Sequence, residues 1–438
     1  MTLRARILLA VVMLLVILGG AWFYLSRPDV AQLPVEAVAG IKPRITEPRI
    51  QNFPTISVAS VVGWRNGAKP TPAPGLSVNA FATGLDHPRW LYELPNGDVL
   101  VAETNSPPRA AHGIADLVMG MLMKRAGAGV ASANRITLLR DTNGDGVADA
   151  RSVLLSGLSS PFGMALVGDK LFVGNHDALV AFPFKAGQTR ITAKPELIVR
   201  LPGGGNHWAK NIVPSPDGKL MYVGVGSSTN IAENGMGAEN HRANILEVSL
   251  TAKTMRIYTA GLRNPVGMAW EPHSQRLWTV VNERDMLGSD LAPDYLTVAD
   301  FGAFYGWPYT YWGGYVDKRV EDQRPDLLQY TRRPDYALGP HTASLGLAFG
   351  SLGAFQDGAF VGQHGSWNRV PVSGYKVVFV PFGANGFPNG PMRDVLTGFL
   401  TGDGHAQGRP VGVIARHEGD LLVADDVGNT VWRVSAAR

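Results

Sequence analysis

A chain of 438 residues exceeds one small core and suits one large repeat domain with an appendage. Its 52 glycines and 17% charged residues favour short strands and tight turns, and argue against a helical bundle or a disordered chain. A formal charge of +4 with no Lys/Arg block speaks against a nucleic-acid surface, and the lack of cysteine excludes disulfides, thiolate metal sites, a cysteine nucleophile and covalent c-type haem.

At the N-terminus, Arg4 and Arg6 precede an uncharged run over residues 7–25, about as long as a bilayer-spanning helix needs. The two arginines favour a cytoplasmic N-terminus and an exported remainder. No A-x-A cleavage signal follows, which favours an uncleaved anchor over residues 1–27, with Trp22, Phe23 and Tyr24 at the outer interface. The expected location is therefore the inner (cytoplasmic) membrane, single-pass, with the main domain in the periplasm. Residues 28–75 are rich in Pro, Val and Ala without a sustained period, and read as a Pro-rich linker that lays the domain on the membrane surface.

From residue 76 to 438 one unit recurs: a polar opening, an apolar strand, a Pro/Asn/Asp/Gly turn, and a second apolar strand with polar residues at its end. The openings are GLDHP (84–88), GLSSP (157–161), GGNHW (204–208), GLRNP (261–265), GPHTASLG (339–346) and GRPVG (408–412). Such repetition predicts an all-β, six-bladed β-propeller behind the N-terminal transmembrane helix. Residues 106–134 interrupt the first blade, and ADLVMGMLMKR within them reads as a short amphipathic helix over the site or on the membrane. The aromatic-rich insertion 285–340 either walls a pocket or packs between blades.

Equivalent repeat positions converge on the channel of a propeller. One set comes from the openings: His87, Ser160, Asn206, His207, Arg263, Asn264, His341 and Arg409. A second comes from the ends of the second strands: Glu103, Asn175, His176, Ser227, Glu283, His364 and Asp425. A uniform register is expected to bring only one set to a given mouth. Histidine is the natural general base near neutral pH, so His207, with Asn206, Arg263 and Asn264 in matching slots, is the leading candidate. Arginines such as Arg409 suit a carboxylated ligand. Glu283, Arg284 and Asp285 form a candidate ion-pair cluster. In DTNGDGVAD (141–149), Asp141, Asn143, Asp145 and Asp149 alternate as oxygen donors around Gly146, which suits a structural Ca²⁺ turn or an Asp/Asn/Gly β-turn. Dinucleotide, Walker, H-E-x-x-H and serine-elbow motifs are not evident.

In order along the chain, NHWAKNIVPSPDGKLMYVGVG, GLRNPVGMAW, NERD followed by FYGWP, and GRPVGV followed by LLVADDVGNTVWRV resemble the quinoprotein sugar dehydrogenases of the soluble aldose and sorbosone dehydrogenase type. The likeness covers most of residues 76–438. It implies a propeller that binds pyrroloquinoline quinone and Ca²⁺. His207 then takes a substrate hydroxyl proton while hydride passes to the quinone, and Arg263 polarises the quinone carbonyl. Asn264, Arg409 and Arg284 hold the cofactor, and the carbonyls of Asp285 and Met286 fall at its calcium. Three positions depart from glucose-oxidising members. Gly226 stands where they carry an Asp, Val411 replaces a second closing arginine, and their cofactor lysine has no match, with His364 or Arg369 as substitutes. These departures fit the sorbosone-type branch better. Electrons are expected to leave to membrane quinone or a separate cytochrome. The competing readings are a calcium-dependent lactonase-type hydrolase, using carboxylates such as Glu103, Glu283 and Asp425, and a non-catalytic binding propeller.

Overall fold

The computed structural model describes residues 2–50, 55–108 and 113–437. Met1, residues 51–54 of the expected linker, 109–112 of the first-blade insertion, and Arg438 lie outside the described residues.

Six antiparallel sheets follow one another around a ring, as the repeat predicts. Blade 1 runs through Pro88–Glu93, Val99–Glu103, Arg135–Arg140 and Ala150–Leu155. Blade 2 runs through Met164–Val167, Lys170–Asn175, Ala178–Pro183 and Glu196–Arg200. Blade 3 comprises Ile212–Pro214, Leu220–Val225, Asn244–Ser249 and Thr254–Ala260. Blade 4 comprises Pro265–Trp270, Leu277–Val281, Pro293–Val298 and Tyr336–Pro340. Blade 5 takes Ser344–Leu352, Phe355–Gln363, Lys376–Pro381 and Arg393–Thr397. Blade 6 takes Pro410–Ala415, Leu421–Asp425 and Thr430–Ala436, and its outermost strand is Leu76–Thr83 from the start of the domain. That pairing closes the ring and leaves no long free edge between its two ends.

Why the second strands carry apolar residues on both faces follows from the packing. In Val99–Glu103, Leu100 and Ala102 face the core shared with blade 2, while Val99 and Val101 face the core shared with blade 6. Side chains alternate between faces, and both faces are covered. One such core fills each space between neighbouring blades, including that between blades 5 and 6, built on Phe360, Phe379, Val423 and Trp432. A fully buried leucine such as Leu100 contributes about 1.5–3 kcal/mol.

None of the hydrophobic window of the N-terminal helix α1 (Leu3–Leu25) is buried by the described residues, and its Leu3–Tyr24 stretch is long and apolar enough to cross a membrane. At about 1.5 Å per residue it is roughly 33 Å long, close to the hydrocarbon thickness of a bilayer. The segment read as a linker is extended but docked. Ala39–Gly40 adds a fifth strand to blade 4 and Thr71–Pro72 a fifth to blade 5. Between them, Ser57 N–H donates to the Trp367 carbonyl (2.8 Å) and Trp64 Nε1 donates to Asp425 (2.6 Å). The expected insertion helix is present as α2 (Ile114–Arg125).

Candidate active site

The two residue sets flagged in the sequence share one mouth, contrary to the expectation that a uniform register separates them. The reason is the hairpin: the start of one antiparallel strand lies beside the end of the next. Pro88 pairs with Glu103, Pro265 with Val281, Ser344 with Gln363 and Pro410 with Asp425. Three equivalent openings also share a left-handed residue within four positions of the start of the inner strand: His87 (φ 55°), Ser160 (φ 43°) and His341 (φ 56°). Non-glycine residues adopt this conformation rarely.

At the mouth lies a cavity of about 190 Å³. Asn206, His207, Asn264, Asn282, His364 and Arg89 supply its polar lining, and Phe162, Trp208, Val266 and Leu345 an apolar wall. His207 is only partly covered by protein. Its Nδ1 donates to the Ser227 carbonyl (2.8 Å), which leaves the Nε2 lone pair for the cavity. Burial of the ring, then the nearby Arg263 charge, holds its pKa down at about 3, so the imidazole is neutral. Close packing fixes its place: a Cβ on Gly226 would stand 2.4 Å from both His207 Cβ and Asn264 Oδ1. An Asp, which the resemblance placed here in glucose-oxidising members, has no room at this position.

Beneath this wall lies a charged group. Arg263 is buried and spends its donors on the chain: Nη1 bonds Glu283 O (2.7 Å) and Asn282 Oδ1 (3.0 Å), and Nη2 bonds Asn230 Oδ1 (2.9 Å) and Asp285 Oδ2 (3.2 Å). Asn264, its neighbour, lines the cavity; Arg263 does not. Asp285 also meets His341, whose Nδ1 lies 3.3 Å from Oδ1 and whose Nε2 donates to Gly288 O (3.0 Å). Burial alone would neutralise both groups. The His341 hydrogen bond and the Arg263 charge nevertheless lower the Asp285 pKa, and the Asp285 carboxylate raises that of His341. With acceptors on both nitrogens and the Asp285 carboxylate beside it, His341 is pushed towards its protonated form.

Across the cavity, Asp426 is buried between Arg89 Nη1 (2.6 Å), His364 Nε2 (2.8 Å) and His87 Nε2 (3.5 Å). Burial opposes its charge, yet these partners hold its pKa well below the ordinary carboxylate range. Burial, then the Arg409 charge, lowers His364 to about 3, so this imidazole is a neutral donor to Asp426. Arg409 stacks over Tyr375 (5.3 Å) and donates to the carbonyls of His364 and Gly365 (both 2.9 Å). Arg89 and Asp426 were not singled out in the sequence, although each adjoins a flagged position.

Three expected site residues sit elsewhere in the architecture. Arg284 is fully buried under the mouth, where it ties Glu283 (2.8 Å), Asp317 (3.2 Å) and the Pro308 and Thr310 carbonyls (2.7 and 2.6 Å), so it does not face the cavity. The Asp285 carbonyl, expected at a calcium ion, accepts instead from Arg319 Nη1 (2.8 Å) and Asn230 Nδ2 (3.2 Å). Met286 follows it with a left-handed backbone (φ 69°) and donates its N–H to Asn368 Oδ1. A guanidinium thus stands where the cation was expected, and this donor set does not fit Ca²⁺ there. The 141–149 turn lies at the opposite end of blade 1. There Asp141 accepts from the Gly144 and Gly146 amides (2.8 and 2.7 Å), Asn143 from Asp145 N and Asp145 from Val147 N, while Asp149 accepts from Thr142. Among the described residues, no group of three or more His, Asp or Glu is placed to hold a metal.

Curated relatives match segments of the chain. A pyrroloquinoline quinone-dependent pyranose dehydrogenase of Coprinopsis cinerea is 38% identical over 117 residues, 23% of this chain and 16% of that protein. The aldose sugar dehydrogenase YliI of Escherichia coli (strain K12) is 32% identical over 94 residues, 21% of this chain and 24% of that protein. The chain thus aligns with under a quarter of the length of either relative. The solved holo pyranose dehydrogenase quinone domain of Coprinopsis cinerea superposes with a TM-score of 0.66 at 22% identity, over 86% of this chain and 100% of that one. These likenesses agree with the resemblance drawn from the motifs. Residues 70–293 and 319–437 match the TrAA12-like family, and the chain belongs to it.

Proposed function

We propose that this protein is a membrane-tethered quinoprotein dehydrogenase that oxidises a sugar or sugar-derived aldehyde of the aldose/sorbosone type outside the cytoplasm. The observation that carries the reading is the neutral His207, its Nε2 lone pair left for an amide-lined cavity in a TrAA12-like propeller. The cavity suits a planar, carboxylated cofactor. It has an apolar wall, amide donors from Asn206, Asn264 and Asn282, and a cationic side in Arg89. Among the described residues, buried Arg89 Nε has no hydrogen-bond partner, which marks unfilled donor capacity on that side. Pyrroloquinoline quinone, when bound, supplies the hydride acceptor that no side chain provides.

The chain's own residues do the rest. His207 accepts the substrate hydroxyl proton at Nε2, and the Ser227 carbonyl holds its tautomer. Asn264 and Asn282 orient ligand oxygens. Arg263, through Asp285 and Asn230, fixes the floor beneath them and adds positive potential. Arg4 and Arg6 before α1 support a cytoplasmic N-terminus with the propeller outside. Electrons then pass to membrane quinone or a separate cytochrome.

The hydrolase reading lacks its ligands. Glu103 is held by Arg135 and Thr137, Glu283 by Arg284, and Asp425 by Trp64 and Trp432. The test is a titration of the full-length protein in detergent with pyrroloquinoline quinone, followed by absorbance, then dye-linked oxidation of a pyranose and aldehyde panel. Saturable binding, with turnover lost in His207→Ala, supports the reading. No binding at high micromolar quinone sinks it.

A further inference from the structure

We infer that the mouth of the propeller, with the cavity at its centre, lies against the surface of the lipid bilayer. The inference rests on the reading of α1 as a retained anchor.

The link from α1 to the mouth is short. Ser26 caps the helix, and Asp29 is already docked: its carboxylate pairs with Arg49 (2.7 Å) and its carbonyl accepts from Ser289 Oγ (2.8 Å). Asp290 receives Gln32 N and Arg49 Nη2 (both 2.9 Å), and Val370 O receives Ala31 N (2.7 Å). Ser289 and Asp290 belong to the loop that carries Asp285, and Val370 follows His364 around the same mouth. Three extended residues reach at most roughly 11 Å. A headgroup layer is of order 5–8 Å deep, so the rim of the mouth cannot stand far above it.

Beyond Asp29 the chain visits the outer edge of blade 4 at Ala39–Gly40 and returns to the mouth at Arg49; from Ser57 on it passes blades 5 and 6 and meets the insertion helix, where Val61 N–H donates to the Arg125 carbonyl (3.3 Å). This strip carries large apolar side chains in the open. Val30 (54%), Ile50 (54%) and Ile56 (40%) are exposed on the segment, and Leu117 (59%), Met121 (65%) and Val130 (50%) on the insertion. Leu117 and Met121 lie one turn apart on one face of α2. Exposed Lys124 and Arg125 end that helix. Apolar side chains beside terminal cations are what an interfacial helix offers to anionic lipid. The second partner class, a soluble protein, would not explain why the chain's own span enters at the rim of the same mouth.

The chain has no cysteine, so single-cysteine variants report cleanly. Full-length Val30→Cys, Leu117→Cys and Met121→Cys are labelled with an environment-sensitive fluorophore and reconstituted into phosphatidylcholine/phosphatidylglycerol vesicles with shallow nitroxide-labelled lipid. Val147→Cys, on the exposed turn at the far end of blade 1, is the control. The expected result is blue-shifted, nitroxide-quenched emission at the first three positions and none at the control. Retention of the protein on floated vesicles with all positions unquenched leaves the anchor intact and overturns the inference. A blue shift without lipid quenching marks a protein neighbour and overturns it. A mature chain whose mass lacks α1 overturns both the anchor reading and the inference.

Discussion

Gly226→Ala is the smallest change that tests whether backbone packing sets the candidate base. The added Cβ would stand 2.4 Å from His207 Cβ and from Asn264 Oδ1, and 3.0 Å from His207 Cγ. The first of these neighbours is the stem of a side chain, so His207 cannot swing clear at its tip. One side must shift by close to 1 Å to restore ordinary contact. Overpacking of this kind costs about 1–3 kcal/mol. Misplacement of a reacting group by ~1 Å costs on the order of 10²-fold in rate. The two numbers separate the effects: melting should fall by a few degrees, while dye-linked kcat/KM should fall by about two orders of magnitude. The variant is measured by thermal melting and by steady-state oxidation with saturating quinone. Wild-type kcat/KM together with a lowered Tm would mean that His207 and Asn264 are not the reacting wall. Wild-type values of both would refute the packing argument itself.

Because His207 is held down at about 3, it is already a free base at pH 5, and kcat/KM should not decline between pH 7 and pH 5. An unperturbed imidazole would be only about 3% deprotonated at pH 5, so a break near the ordinary value shows that the ring is not held neutral. Arg284→Met removes the buried partner of Glu283 and should cost about 3–5 kcal/mol of stability. Unchanged melting with lost quinone binding would return Arg284 to the cofactor. Chelator treatment should leave quinone affinity unchanged, since Arg319 occupies the Asp285 carbonyl, whereas Arg319→Ala should destabilise the loop by about 1.5–3 kcal/mol. Calcium-dependent quinone binding in the wild type would overturn that assignment.

The blades were legible because each strand is an apolar run closed by a turn signal, and burial on both faces requires such runs. His207 and Asn264 were legible because they occupy the same slot in different repeats. What the sequence hid is irregular. Inner strands break register near the mouth, between Pro88 and Trp90, Ser344 and Gly346, Pro265 and Met268, and Pro410 and Val413. A bulge re-aims the side chain it carries, so strict alternation could not have brought Arg89 to the cavity wall. Arg284 was hidden for another reason. Its partners Pro308, Thr310 and Asp317 come from the long insertion before the last strand of blade 4, and no local pattern links them to NERD.

The charges around the cavity explain how one histidine remains a base among several cations. Arg263 and His341 share Asp285, and Arg89 is matched by Asp426, so each carboxylate offsets positive charge within its own buried group. His207 bonds a carbonyl rather than a carboxylate, and the Ser227 carbonyl and the more distant Asp285 charge favour its protonated form less than burial and the Arg263 charge oppose it. His364 does meet a carboxylate, yet burial and the Arg409 charge keep it neutral as well. The difference lies in the second nitrogen. In His364, Nε2–H is committed to Asp426, whereas in His207 the committed atom is Nδ1, which leaves Nε2 to the cavity. With Nδ1 committed to a carbonyl, His207 keeps Nε2 for the cavity, which is the geometry that the proposed proton acceptance requires.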